Sequence, residues 1–172
     1  MTEALNMTCE VVTVLIARTP TVPNNGTLPL LHYRRALVSP DGEAMARFFE
    51  EAFDRNGWPS AWRNGVFGYH HFHATAHEAL GVYEGQATVQ FGGPDGVLVE
   101  ATAGDLIVVP AGVAHCRLDS GELGIVGAYP EGQQPDLQRP GQRAHEVDAV
   151  TTPGRDPLFG SDGPLTRHWH VG

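Results

Sequence analysis

Between Gly65 and Tyr129 the chain alternates apolar and polar positions in runs of five to nine residues, separated by glycine-containing turns. The runs fall at 66–74, 78–83, 86–91, 96–101, 105–109, 114–118 and 123–129. Short strands at such regular spacing predict an antiparallel sandwich or barrel. Upstream, Cys9–Ala17 is rich in Val, Ile and Thr and predicts a strand. Pro20–Gly26 predicts a loop, and Leu28–Arg34 a short extended piece. The period then changes. Met45, Phe48, Phe49, Ala52 and Phe53 recur at helical spacing, with Ser39-Pro40 as N-cap and first helical residue and Asn56-Gly57 as the stop. A helix over 40–55 follows, then a polar connection carrying Trp58 and Trp62. Those two tryptophans and the helix phenylalanines read as core or subunit-contact residues. Beyond Pro130 no period persists, and 131–172 reads as an irregular arm. A single domain spans 1–172, with its barrel core at about 65–130 and the strand, loop and helix of 1–64 before it.

Composition supports this picture. The chain has 172 residues, with 21 glycines and 13 prolines, which favours many turns over a helix bundle. Eleven basic residues against 20 acidic ones leave a formal charge of −9, unsuited to a phosphate backbone or an anionic membrane. The apolar run Val11–Ala17 is too short to cross a bilayer, and Glu3 and Glu10 without a basic residue make a poor signal peptide. Two scattered cysteines, Cys9 and Cys116, make no disulfide framework, so a reduced, cytoplasmic protein is expected.

Histidine changes the picture. Of nine histidines, four lie between positions 70 and 77. On a strand, alternate residues share a face, so His71 and His73 point together about 7 Å apart, with Tyr69 on the same side. His70 and Phe72 point the other way. An antiparallel return brings the Glu78 carboxylate back toward them. Much later, Gly104–Val109 runs into a Pro110-Ala-Gly112 turn and delivers His115. Three imidazoles and one carboxylate make a mixed nitrogen and oxygen site, suited to Fe, Mn, Co, Ni, Cu or Zn rather than Ca or Mg.

These residues resemble the two motifs of the cupin superfamily. The first, G-x5-H-x-H-x3–4-E-x6-G, matches at Gly65, His71, His73, Glu78 and Gly85. The second, G-x5-P-x-G-x2-H-x3-N, matches at Gly104, Pro110, Gly112 and His115, and departs at Asp119, where the pattern has Asn. The resemblance implies an all-β jelly-roll barrel of six to eight strands, a double-stranded β-helix. It implies a divalent transition metal inside, held by His71, His73, Glu78 and His115. The segments His73-Ala-Thr-Ala-His77-Glu78, Pro130-x-Gly132-Gln133 and Asp156-Pro157-Leu-Phe-Gly160-Ser-Asp-Gly163-Pro164-Leu165 are similar to the YjlB-like branch of single-domain cupins. That likeness bears on the fold and leaves the substrate open.

The cupin resemblance also implies a small-molecule site, with dioxygenase-like chemistry or Lewis-acid isomerisation or decarboxylation. No seryl or cysteinyl nucleophile motif, phosphate loop or dinucleotide fingerprint competes with it. The alternative is a non-catalytic metal or small-molecule binder, which a fifth protein ligand such as His77 would favour. A DNA-binding regulator needs a helix-turn-helix that this chain lacks. Around the metal, Tyr69, His77 and Glu84 are the candidate acid/base groups. Tyr69 is also expected to line the pocket, whereas His70 and His77 read as surface residues or as partners of the ligands. Arg117 shares a face with His115 on an extended strand, so its guanidinium is a candidate grip for a substrate carboxylate. Cys116 lies on the opposite face. His168-Trp169-His170 reads as a terminal tail, frayed or docked. Small cupins commonly dimerise, and the 9–17 strand is the candidate edge for a homodimer.

Overall fold

The computed structural model describes residues 4–119, 121–142 and 147–170. In chain order the elements are β1 (Ala4–Leu5), β2 (Glu10–Ile16), β3 (Asn25–Arg34), β4 (Leu37–Val38), α1 (Gly42–Arg55), β5 (Ser60–Asn64), β6 (Glu78–Phe91), β7 (Val97–Thr102), β8 (Leu106–Val109), β9 (His115–Arg117), β10 (Leu123–Ala128) and α2 (Pro164–His168), with a 3-10 turn at Val147–Ala149. The main sheet runs β2-β3-β8-β6-β10-β5, all antiparallel, and β7 and β9 flank the far half of β6. This is a jelly-roll β fold.

The two halves of β6 were expected as separate strands, 78–83 and 86–91. They form one strand, because Gly85 lets it bend where a turn seemed needed. Gly85 has φ +85°, and a Cβ there would collide with the Glu122 carbonyl. Before the bend β6 pairs with β8 and β10, and after it with β7 and β9. One strand thereby serves both layers and closes the barrel.

Alternation sorts the core. On β8, Leu106 and Val108 face outward and Ile107 and Val109 face inward, all four buried. The inner cluster adds Leu30, Leu80, Val82, Phe91 and Ile125. The outer face is covered by α1 through Met45, Phe49, Ala52 and Phe53, with Phe49 flat against Gly81. The helix starts two residues later than expected. Asp41, not Ser39, is its N-cap, since Asp41 Oδ1 accepts from the Glu43 and Ala44 amides at 3.0 and 3.2 Å. Such a cap is worth ~1 kcal/mol.

Two further expectations change. Ser60–Asn64, read as connection, is the strand β5 on the rim of the sheet. Conversely, 66–74 is no continuous strand. Only His71 bridges to His115, and Phe72 to Gln138 on the other side, because three-residue β9 offers so short an edge.

The arm docks instead of trailing. Asp156, wholly buried, accepts from the Tyr33 hydroxyl at 2.6 Å and from the amides of Leu158, Phe159 and Leu165. Asn56 Nδ2 donates to the Pro157 carbonyl, and Trp58 Nε1 to that of Arg155. Gln133 accepts from the His77 amide and donates to the Thr151 carbonyl. Trp169 is buried, with its indole donating to Pro29, while His168 and His170 are exposed. Asp156, Pro157 and Gln133 fall in the segments that carry the YjlB-like likeness. No helix is long and apolar enough to cross a membrane among the described residues.

Candidate metal centre

Three elements deliver the cluster. Glu78 opens β6, His115 opens β9, and His71 and His73 lie on the irregular segment between β5 and β6. The β8–β9 connection turns at Gly112, where φ is +92° and a Cβ would strike the Asn24 carbonyl. That turn aims His115 inward. One ligand nitrogen from each of His71, His73 and His115 lies within 4.8 Å of the other two. Glu78 stands against them, Oε1 3.1 Å from His115 Nε2 and Oε2 3.4 Å from His73 Nε2.

Each imidazole is oriented by a backbone carbonyl. His71 Nδ1 faces the Tyr69 carbonyl and His115 Nδ1 that of Val113, both at 3.2 Å, and His73 Nδ1 contacts the Asp136 carbonyl closely. A carbonyl only accepts, so each Nδ1 carries the hydrogen and each Nε2 is left as a bare donor to an ion. Asp136 itself is fixed by accepting from the Ala74 and Thr75 amides at 2.7 and 3.2 Å.

The electrostatics fit a cation. Burial, then the charge of His115, pushes His71 down to about 3. Burial also works to lower His73, but Glu78 and the Asp136 carbonyl outweigh it and hold the ring up to about 9. Burial works to raise Glu78, yet His115 and His73 hold it below the usual carboxylate range. Glu78 Oε1 is buried without a hydrogen-bond partner. Bare imidazole nitrogens facing an ionised carboxylate repel one another unless a positive charge lies between. A proton on His73 meets part of that need. A divalent ion held by all four side chains meets it fully, and this donor set suits a transition metal.

The cluster opens into a cavity of about 190 Å³ whose apolar walls include Trp62, Val66, Phe67 and Leu80. Tyr129, a residue the sequence reading passed over, also lines it. It extends the inward series Leu123, Ile125, Gly127 by one alternate position, a parity legible in the sequence. Its oxygen accepts from Trp62 Nε1 at 2.9 Å, and its ring stands edge-on to His73 at 5.8 Å. Burial and the charge of Glu78 raise its pKa.

Other candidates lie elsewhere. Tyr69, expected inside, is not among the cavity-lining residues. It stacks on Phe67 at 4.8 Å, and Arg139 sits 3.9 Å from its ring centre. The alternation argument failed there because the segment is not a strand. Arg117 also stays out of the cavity: its amide donates to Phe67, its guanidinium lies near Gly68, and its Nε is buried without a partner. Asp119 does not pair with it but accepts from the Thr88 amide at Oδ2 and from the Gly121 amide at Oδ1, two acceptors of which an Asn keeps one. Glu84 is exposed.

His77, wholly buried, is no fifth ligand. Its Nδ1 accepts from the Ala111 amide at 2.8 Å, and its ring packs on Trp169. Burial lowers it to about 4. His70 is half-buried, and Cys9 and Cys116 are free thiols outside the cluster.

The family profile described as "Cupin" matches residues 63–126. Over 154 residues, 86% of this chain and 90% of the relative, the sequence is 35% identical to "Uncharacterized protein YjlB" of Bacillus subtilis (strain 168). Among solved structures, the 7S globulin of Momordica charantia aligns with 81% of this chain and 40% of its own, at 19% identity and TM-score 0.40. Procruciferin, the 11S globulin of Brassica napus, aligns with 73% of this chain and 26% of its own, at 15% identity and TM-score 0.32. The chain spans less than half the length of either globulin.

Proposed function

The chain belongs to the cupin superfamily, in its YjlB-like branch, and on that premise we propose that it is a metal-dependent enzyme acting on a small molecule. His71, His73, His115 and Glu78 are the proposed ligands of one divalent transition ion. The observation that carries this reading is the buried meeting of three histidine nitrogens with the Glu78 carboxylate, whose Oε1 has no hydrogen-bond partner. Such an ion supplies either redox chemistry with O₂ or Lewis-acid polarisation of a carbonyl. The chain's own residues do the rest. Carbonyls of residues 69, 113 and 136 hold the ring orientations, and apolar walls line the space beside the cluster.

A catalytic role is favoured over a purely structural one because His77 is committed to Ala111 and Trp169, which leaves the cluster open to the cavity. The free thiols support a reducing, cytoplasmic setting. We extend the proposal to a homodimer through β2, the free edge of the main sheet, where Leu15 is 59% exposed. A monomeric mass by sedimentation contradicts that extension.

The test is metal analysis of protein purified without added metal or a histidine tag, beside the His73→Ala/His115→Ala double variant. The proposal expects about one ion per chain in the first, and none in the second. A redox-active ion directs the substrate search to oxygen-dependent turnover, and zinc to Lewis-acid chemistry. No metal in either protein, and no uptake on reconstitution, overturns the reading.

A further inference from the structure

We infer that Tyr129, held by Trp62, is the hydrogen-bond donor that positions a compact oxyanion, a small carboxylate or an enolate, against the three imidazoles. The inference rests on the metal-binding reading above.

Cavity size limits the ligand first. At about 190 Å³ the cavity lies below the ~300–1,000 Å³ of drug-sized sites, so it suits a compact ligand. Charge limits its recognition next. No Arg lines the cavity among the described residues, and Arg117 is turned toward Gly68. With an ion in the cluster, any further contact to a ligand oxygen must come from a neutral donor. Three side chains qualify by position: Asn64, Trp62 and Tyr129. Asn64 is exposed on the rim, away from the buried cluster.

An indole N–H can only donate, and that of Trp62 is spent on Tyr129 Oη at 2.9 Å. The phenol oxygen accepts that bond, so its own hydrogen must point elsewhere. The pair is rigid. Trp62 lies opposite Gly127 across the β5–β10 ladder, and a Cβ at Gly127 would collide with the indole, so the ring lies flat on the strand. Tyr129, one step past the end of β10, has its ring edge-on to His73 at 5.8 Å. A donor fixed on two paired strands beside the cluster is pre-organised for a ligand atom there. Glu78 is the rival acceptor. If it took the phenol hydrogen, Tyr129 would serve the carboxylate and not the ligand.

The experiment separates these roles. The full chain is loaded with cobalt(II) and titrated with formate, followed by the visible cobalt bands. We expect Tyr129→Phe to keep cobalt stoichiometry and affinity while weakening formate about tenfold, the loss of one neutral hydrogen bond. Trp62→Phe keeps the hydroxyl but frees its orientation, and should weaken formate by a smaller factor. Equal formate affinity in wild type and Tyr129→Phe overturns the inference. So does a loss of cobalt affinity in Tyr129→Phe with formate affinity unchanged, which would assign Tyr129 to Glu78. If the wild type takes up no cobalt, the metal-binding reading fails first and the inference falls with it.

Discussion

His115 and His73 reach the same point by different means. His115 stands on β9, which pairs with β6 within the barrel, and its turn and orienting carbonyl come from the adjoining residues 110–113. His73 stands on a segment with no ladder of its own. Its carbonyl accepts from the Gly112 amide at 2.8 Å, but its ring is held by Asp136, more than sixty residues away in the arm, beside the Phe72–Gln138 bridge. One half of the cluster is built into the barrel and the other is borrowed from the arm. A motif can therefore be complete in sequence while half of its geometry depends on residues outside it.

The comparison breaks most completely where the arm is anchored. Asp156→Ala leaves the Tyr33 hydroxyl and three amides without their acceptor, at ~1–3 kcal/mol each. We expect a loss of at least ~4 kcal/mol in urea unfolding, together with loss of metal. Full metal affinity after such destabilisation would show that the borrowed half is not borrowed.

Acid attacks the same joint through His77. Its folded pKa is lowered by burial to about 4, below the ordinary value of 6.5. The unfolded chain thus binds the proton first, and stability rises with pH across that window. Above pH 6.5 the ring costs nothing, and by pH 4 it costs roughly 3 kcal/mol. His77→Asn keeps an acceptor for Ala111 but does not titrate. The variant should lose less stability than wild type between pH 6.5 and 4, and parallel curves would refute this.

Smaller effects sharpen the contrast. Asp136→Ala releases the Ala74 and Thr75 amides and loosens the carbonyl that orients His73. Metal affinity should fall ~10–100-fold, as for other outer partners of metal ligands, measured by competition with a chelating dye. On the built-in side, Asp119→Asn keeps only one of the two oxygens that accept from Thr88 and Gly121. It should leave metal affinity unchanged and lower stability by ~1 kcal/mol, the loss of one exposed hydrogen bond.

Sequence spacing made much of this legible. The intervals among His71, His73, Glu78 and His115 brought together the four side chains that meet in space, and the helical period of Met45 to Phe53 found the face that covers the sheet. Illegible parts share a physical cause. β5 presents mostly exposed or half-buried side chains, so no apolar alternation marks it. Tyr69 was misplaced because strand parity was extended over a segment whose neighbours allow single bridges only. The arm's hold on His73 passes through a backbone carbonyl, which any residue type supplies.

The most direct measurement is X-ray absorption at the edge of the metal bound to the intact chain. The account predicts three imidazole nitrogens and at least one carboxylate oxygen at about 2.0–2.2 Å, with one imidazole signal lost in His73→Ala. A spectrum with fewer than three imidazoles, or one that His73→Ala leaves unaltered, would contradict it.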